Sequence, residues 1–126
     1  MTMERAIERF DLTVPNAFPF AVKRDLVMGL EARLENELFS LYVAPSEEDA
    51  PEDPAGDGVP LAAPYPYDDL YVKFLAAETD RLNGDVNRYQ NSARVFNDAY
   101  DALALHLLRT RRRRRRHAVR LPEVTA

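Results

Sequence analysis

The sequence predicts an all-α fold: a small bundle of three to four helices with a long proline-rich acidic loop and an extended basic C-terminal tail. Apolar residues recur at helical spacing through most of the chain. Six of the nine prolines fall within residues 44–66, and eight of the seventeen lysines and arginines fall within residues 109–120. We therefore expect a helical domain at residues 1–108, which includes the loop 44–66, and an arginine-rich tail at residues 109–126.

Two helices are predicted ahead of the loop. The first covers residues 3–11, and the second begins at Pro19, whose fixed φ suits the first helical position, and continues to about Tyr42. Gly29 lies within the second helix and is expected to mark a close helix crossing. The core stripe of the second helix comprises Val22, Leu26, Leu30, Leu34 and Leu38, and it widens into Val27, Leu41 and Tyr42.

A third helix is predicted after the loop. Asp68 and Asp69 occupy its first turn, where carboxylates complement the helix dipole and cap the helix. Asn83-Gly84 then indicates a helix stop and a tight reversal, with a simple kink as the alternative. The apolar face of this helix comprises Leu70, Tyr71, Phe74, Leu75 and Leu82.

The last helix has the most regular apolar spacing in the chain. Its apolar residues alternate steps of three and four, which is the spacing of a heptad seam that packs against another helix at a shallow angle. The seam comprises Val86, Tyr89, Ala93, Phe96, Tyr100, Leu103 and Leu107.

The loop 44–66 combines prolines with six acidic residues and no apolar periodicity. Proline blocks helix and ladder hydrogen bonds, and the negative charge opposes compaction. Two interpretations stay open: a solvated linker, or an acidic arm that contacts a neighbouring subunit.

The tail has a charge opposite to that of the rest of the chain. Residues 109–126 carry +7 and residues 1–108 carry −11, so the net charge of −4 averages two oppositely charged parts. Six consecutive arginines, 111–116, would occupy every face of a helix and leave no side to bury. We therefore expect the tail to leave the bundle and to have a partner of its own.

Catalytic, cofactor-binding and metal-ligating patterns are missing from the sequence, so we expect neither an enzyme nor a metal or cofactor site. His106 is expected to be a partly exposed packing residue. Tyr89 and Tyr100 are assigned to the core, and Tyr65 and Tyr67 to a subunit interface, because tyrosine buries a large area at low entropic cost. Asn91 and Asn97 are either exposed helix residues or intersubunit hydrogen-bonding groups.

The sequence also predicts where the protein resides. The chain has no cysteine, its first ten residues lack the apolar core of a secretory signal, and no apolar run is long enough to cross a membrane. We expect a soluble, intracellular-type protein.

Residues 64–100, PYPYDDLYVKFLAAETDRLNGDVNRYQNSARVFNDAY, resemble the head–tail connector, or adaptor, proteins of tailed bacteriophages. The shared pattern is P-Y-D-E-L-Y, then a hydrophobic helix ending in D-x-x-N-G-E, then R-Y-N-N-S-x-x-x-F-N-x-A-Y. The matching residues are Pro66, Tyr67, Asp68, Leu70, Tyr71, Asp80, Asn83, Gly84, Arg88, Tyr89, Asn91, Ser92, Phe96, Asn97, Ala99 and Tyr100. The N-terminal third matches less closely, mainly at Pro15-Asn16.

The chain departs from the family pattern mildly at Asp69, Asp85 and Gln90, and more substantially at its end. Members of the family tend to finish soon after an Arg-Thr pair, which here is Arg109-Thr110. The arginine run is therefore an extension about which the resemblance itself says nothing.

The resemblance implies a helical subunit that forms a ring of about twelve copies beneath the portal protein and above the next neck component, around the DNA channel. It implies a virion protein, assembled in the host cytoplasm, with no membrane partner. We expect the tail arginines to contact the portal or the DNA: Arg109, Arg111, Arg112, Arg113, Arg114, Arg115, Arg116 and Arg120.

Two other functions remain open from the residues alone. The tail could make the chain an arginine-rich nucleic-acid-binding protein outside any neck assembly. The arginine run could also be a nuclear localisation segment.

Overall fold

The computed structural model describes residues 1–44 and 58–114, and this part of the chain is all helical, with four α-helices and no β-strand. The helices are α1 (Met3–Thr13), α2 (Phe20–Glu37), α3 (Leu70–Leu82) and α4 (Val86–Thr110). Short 3-10 turns follow α2 at Phe39–Leu41 and precede α3 at Tyr67–Asp69. The predicted all-α class and the count of helices are confirmed, whereas most of the acidic loop and the end of the tail lie outside the described residues.

The core lies where α1, α2 and α4 pack against α3. No residue of α3 from Leu70 to Asp80 is exposed, because the other three helices surround it. α1 contributes the side chains of Met3, Ile7 and Phe10, all buried. The central position of α3 leaves α2 and α4 with one outward face each.

The apolar stripe predicted for α2 is buried in its middle and exposed at its two ends. Val27, Leu30, Leu34 and Leu38 lie in the core, but Val22 and Leu41 are each 38% exposed, so their assignment to the core is wrong. The helix ends at Glu37, earlier than predicted, and a 3-10 turn continues it. The expected helix crossing at Gly29 is wrong, since nothing lies within 4 Å of the position that a Cβ atom would occupy there.

A polar cluster fixes the connection between α1 and α2. The Nζ atom of Lys23 donates to Asp11 Oδ1 at 2.7 Å and to Asn16 Oδ1 at 3.3 Å. The side-chain Nδ2 of Asn16 also donates to Asp11 Oδ1 and to the Val14 carbonyl. The Asn16 Oδ1 atom accepts from the backbone amide of Phe18. These hydrogen bonds give Asn16 a structural role that the sequence does not reveal.

Replacing Asp11 with Asn should destabilise the fold by about 1–3 kcal/mol, because Lys23 is only 6% exposed and loses its charged partner. Asp11 itself is 44% exposed, so solvent screening keeps the cost below that of a fully buried pair. Urea unfolding of both proteins measures the difference, with Asp25→Asn on the outer surface of α2 as a control that should change stability by less than about 0.5 kcal/mol.

The same variant predicts a pH dependence. The hydrogen bonds from Lys23 and then Asn16 lower the pKa of Asp11 below its ordinary value of 3.8. Between the folded-state and unfolded-state pKa values of Asp11, the unfolded state therefore binds more protons than the folded state. The contribution of ionised Asp11 to folding stability is complete above pH ~4 and is lost as the pH falls through the folded-state pKa. The stability difference between the parent and Asp11→Asn should shrink below pH ~4; a difference that is constant from pH 7 to pH 3 would contradict this assignment.

The corner between α3 and α4 is the tight reversal predicted at Asn83-Gly84. Gly84 has a φ of +74°, in the left-handed region that glycine adopts most easily. The Asp85 amide donates back to the Asp80 carbonyl at 3.1 Å, and the Asp85 side chain caps α4 by accepting from the Arg88 amide. The Ser92 hydroxyl then donates across the corner to Asp80 Oδ2 at 2.8 Å, which ties α4 to α3.

The heptad seam of α4 is confirmed in its C-terminal part. Phe96, Leu103 and Leu107 are at most 5% exposed, whereas Val86 at the N-terminal end is 65% exposed. Tyr100 is half-buried against the core as predicted, whereas the assignment of Tyr89 to the core is wrong, because this half-buried side chain in the first turns of α4 lies outside it. The seam therefore packs against α3 and the end of α2 but not over its first two turns.

Asp68 and Asp69 lie at the entry to α3 as predicted, but neither side chain caps it. Asp68 is buried, and its Oδ2 atom lies 3.6 Å from the α-amino group of Met1. Asp69 instead forms an ion pair with Lys73 one turn later, at 3.1 Å. The expected capping role is wrong, since neither carboxylate accepts a capping hydrogen bond and both lie near cations instead.

Candidate assembly surface and arginine tail

The first residues of the arginine run are attached to the body of the protein. The Val43 amide donates to the Arg112 carbonyl at 2.8 Å, and the Arg114 amide donates to the Leu41 carbonyl at 2.9 Å. These two bonds flank an antiparallel bridge between Tyr42 and Arg113. The segment after α2 and the segment after α4 thus form a short two-stranded ribbon.

The expectation that the tail leaves the bundle is therefore wrong for residues 111–114. A run of arginines cannot bury one face of a helix, but an extended backbone can pair with a neighbour while its side chains stay in water. Arg112, Arg113 and Arg114 are all exposed in this way.

Arg111 differs from the arginines around it. It is the C-cap residue directly after α4, it is half-buried, and its guanidinium lies 5.2 Å from the centre of the Phe39 ring. Burial lowers the pKa of Arg111. Arg109 lies in the last turn of α4 and is exposed, whereas Arg115, Arg116 and Arg120 lie outside the described residues. Of the predicted contact residues, Arg109 and residues 112–114 are thus accessible to a partner, and Arg111 has a structural contact as well.

The predicted interface residues occupy two regions. Tyr65 is 83% exposed, next to the start of α3. Tyr67 is half-buried, and its ring stacks on that of His106, with centroids 4.4 Å apart. Asn91 and Asn97 are exposed on α4. The packing role expected for His106 agrees with this stacking, while the interface role of the two tyrosines and the two asparagines stays a prediction.

An aromatic cluster joins α2 to the α3–α4 hairpin. The Phe96 ring lies 5.3 Å from that of Phe74 and 6.2 Å from that of Tyr100. The guanidinium of Arg33 covers Phe96 and Tyr100, at 5.9 Å and 5.1 Å from their ring centres. Arg33 also donates to Glu37, whose Oε1 accepts the Tyr100 hydroxyl at 2.8 Å. Burial and Glu37 raise the pKa of Tyr100 to about 12, so its hydroxyl remains a donor at physiological pH.

A second polar cluster holds the end of the acidic loop against the helices. Tyr71 donates its hydroxyl proton to Glu31 and accepts from the Ala63 amide at 3.0 Å. Glu31 also accepts from the Ala62 amide at 3.0 Å. The sequence assigned Tyr71 to the apolar face only, because a polar partner 40 residues away leaves no local signal.

The other attachment of the loop is to the N-terminus. The Met3 amide donates to the Val59 carbonyl at 2.7 Å, and the Leu61 amide donates to the Met1 carbonyl at 2.9 Å. The Glu4 carboxylate accepts from the Val59 amide next to Gly58, which has a φ of +114°. The segment at residues 59–61 thus pairs with residues 1–3, whereas residues 41–43, just before the loop, pair with residues 112–114.

Among residues 1–44 and 58–114, no three His, Cys, Asp or Glu side chains are placed to hold a metal ion. No helix in the same part of the chain is long and apolar enough to cross a membrane. No protein-family model, curated protein or solved structure matches the chain.

Proposed function

We propose that this chain is a structural head–tail connector of a tailed bacteriophage. About twelve copies form a ring beneath the portal protein, surround the DNA channel and link the capsid to the next neck component. The protein acts in the virion neck after assembly in the host cytoplasm. The observation that carries the proposal is the family-like pattern of residues 64–100, which coincides with one structural unit, the α3–α4 hairpin.

The residues of that pattern hold positions with specific physical roles in this hairpin. Asp80 and Ser92 bond to each other across the corner, and Gly84 supplies the left-handed turn between them. Phe96 and Tyr100 belong to the aromatic cluster that fixes the hairpin to α2. The pattern therefore describes a hairpin with its own geometry, which supports a shared fold with the connector proteins better than scattered matches would.

The attachment of the tail supports the portal as its partner. Because residues 112–114 are bonded to residues 41–43, the arginine run starts from a fixed point at the C-terminal end of α4. Guanidinium groups bind carboxylates or phosphates in bidentate fashion, so either an acidic portal surface or DNA at the channel wall would suit them. We favour the portal, because strong binding to DNA would impede its passage.

Co-assembly with the portal protein of the same phage tests the proposal. Size-exclusion chromatography with light scattering should show a complex larger than the portal alone, with about twelve copies of this chain per portal ring. A chain that stays separate from the portal at micromolar concentration would contradict the proposal.

An arginine-rich nucleic-acid-binding protein is the second candidate, favoured by the exposure of Arg112, Arg113 and Arg114. It predicts a monomer that binds duplex DNA at physiological salt and ignores the portal. Its affinity would fall with salt at a slope of about −5 for six neutralised phosphates. The same chromatography, repeated with a DNA duplex, separates the two candidates.

Replacing Tyr65 with Ala should weaken assembly of the oligomeric ring and leave helicity unchanged. The Tyr65 side chain is 83% exposed and supports no other described residue. Tyr67→Ala should also weaken assembly, since the sequence assigns this residue to the same interface. That change also removes the stacking on His106, so it should lower thermal stability as well. Light scattering and circular dichroism on both variants distinguish the effects; assembly that survives both changes would remove these tyrosines from the interface.

A further inference from the structure

The outward faces of α2 and α4 point away from each other. Met28 lies about 140° or more around α2 from Arg33 and Glu37, which contact α4, and Leu105 lies as far around α4 from Phe96 and Tyr100. Both faces carry exposed apolar side chains. Met28 on α2 is 46% exposed, and Leu105 and Leu108 on α4 are 43% and 57% exposed. These residues recur at helical spacing together with charged residues, so each face is a defined strip.

The strip on α2 changes from positive to apolar to negative along the helix. Arg24 comes first, Met28 and Ala32 follow at four-residue steps, and Glu35 ends the strip. All four are exposed. Asp25 is also exposed but projects to the side of this strip, about 100° from Arg24 around the helix.

The strip on α4 has the opposite order of charge. Asp98 and Asp101 come first, Leu105 and Leu108 follow, and Arg109 ends the strip. All five are exposed. The order along α4 is thus negative, apolar, positive.

The charges of the two strips have no partners of opposite sign within the part of the chain that the structure describes. None of the five, Arg24, Glu35, Asp98, Asp101 and Arg109, forms an ion pair with another described residue. If the two helices lie side by side and parallel, Arg24 meets Asp101, Met28 meets Leu105, and Arg109 falls opposite Ala32, three residues before Glu35. The step from Arg24 to Met28 equals that from Asp101 to Leu105, so one charged and one apolar contact form in one register. Arg109 and Glu35 then lie about 4.5 Å apart along the helix axis.

The fold supplies the direction that this pairing needs. Arg33 on α2 contacts Phe96 and Tyr100 on α4, and Tyr42 beyond α2 pairs with Arg113 beyond α4. Later residues of the α2 segment thus contact later residues of the α4 segment, so α2 and α4 run in the same general direction within one subunit. Rotation of a copy about an axis along these helices preserves that direction and makes the contact between copies parallel.

We propose that the outer strip of α2 binds the outer strip of α4 of a second copy, head to tail. Such a heterologous contact leaves a free strip at each end of a dimer, so further copies add until the assembly closes. The contact itself follows from the two strips, whereas closure into a ring around a portal rests on the proposed function.

Cysteine cross-linking tests the contact, because the chain has no native cysteine. The full-length variant Met28→Cys/Leu105→Cys should give a ladder of dimers, trimers and larger species on a non-reducing gel after oxidation. The two positions face opposite sides of one subunit, so they cannot link within it. The matched control is Leu12→Cys/Leu105→Cys, in which Leu12 is 79% exposed but lies outside both strips. No ladder, or the same ladder in the control, would overturn the proposal.

Charge reversal in the same cysteine background tests the register. Arg24→Glu alone should reduce the ladder about tenfold, since it places a second carboxylate opposite that of Asp101, and Asp101→Arg alone should do the same by placing two guanidinium groups together. An equimolar mixture of the two proteins should restore it, because alternating copies re-form every opposite-charge pair. Charge reversals without effect on the ladder, or a mixture that does not restore it, would overturn the register.

The two proposals fail independently. Portal binding without a ladder would overturn the contact between the strips and leave the proposed function standing. A ladder without portal binding would overturn the proposed function and leave the contact standing.

Discussion

Replacing Phe96 with Ala is expected to destabilise the protein by about 3–5 kcal/mol, the usual cost of truncating a buried phenylalanine. The side chain is only 5% exposed and occupies the point where α2, α3 and α4 meet. It contacts Phe74 from α3, Tyr100 from α4 and the guanidinium of Arg33 from α2. A cavity there therefore removes contacts from three helices, and a domain of this size has little stability to spare.

Urea unfolding followed by circular dichroism measures this effect, with both proteins at one concentration so that self-association contributes equally. Val95→Ala is the matched control, since the neighbouring side chain is 39% exposed and alanine favours the helix. We expect that control to change stability by less than about 1 kcal/mol. A Phe96→Ala protein that stays within the same range would show that the seam of α4 does not pack as described.

The aromatic cluster at Phe96 shows how far local sequence patterns predict this fold. The heptad spacing placed Phe96, Leu103 and Leu107 on one buried face because helical periodicity depends only on sequence distance. It did not predict that Arg33 and Glu37 would complete the cluster, because cation–π contacts and hydrogen bonds between helices depend on how the helices cross. The same limit explains Lys23, whose burial depends on Asp11 and Asn16 from the preceding helix and its connection.

The errors at Gly29 and at the tail have different physical causes. Glycine permits a close helix crossing but does not require one, and at Gly29 the outer surface of α2 is simply exposed. At residues 111–114 the prediction that arginine side chains cannot be buried on a helix face is consistent with the structure, since none of them is fully buried. The prediction that this segment leaves the bundle failed because its backbone forms hydrogen bonds with residues 41–43. Side-chain patterns carry little information on such isolated backbone pairing, because any residue other than proline supplies the same donor and acceptor.

Replacing Arg112 through Arg116 with serine is expected to abolish attachment to purified portal while leaving the fold intact. Arg111 is retained because its contact with Phe39 belongs to the body of the protein. The bonds at residues 112 and 114 use only backbone atoms, so serine preserves them. The variant thus removes five positive charges per copy, or about sixty from a twelvefold ring, without removing the attachment of the tail.

A lysine version of the same segment is the matched control. It keeps the charge but loses the planar fork that binds carboxylates and phosphates in bidentate fashion, so attachment should weaken and not vanish.

Attachment to portal and retention of DNA in filled heads are measured separately. Loss of attachment identifies the portal as the partner, because a tail that contacts only DNA would leave attachment intact and let the heads leak. On duplex DNA, the serine variant should lose about 4–5 units of salt slope if these arginines neutralise phosphates, and none if they bind only the portal. Attachment, DNA retention and salt slope that all equal those of the parent would show that residues 112–116 have no part in the proposed function.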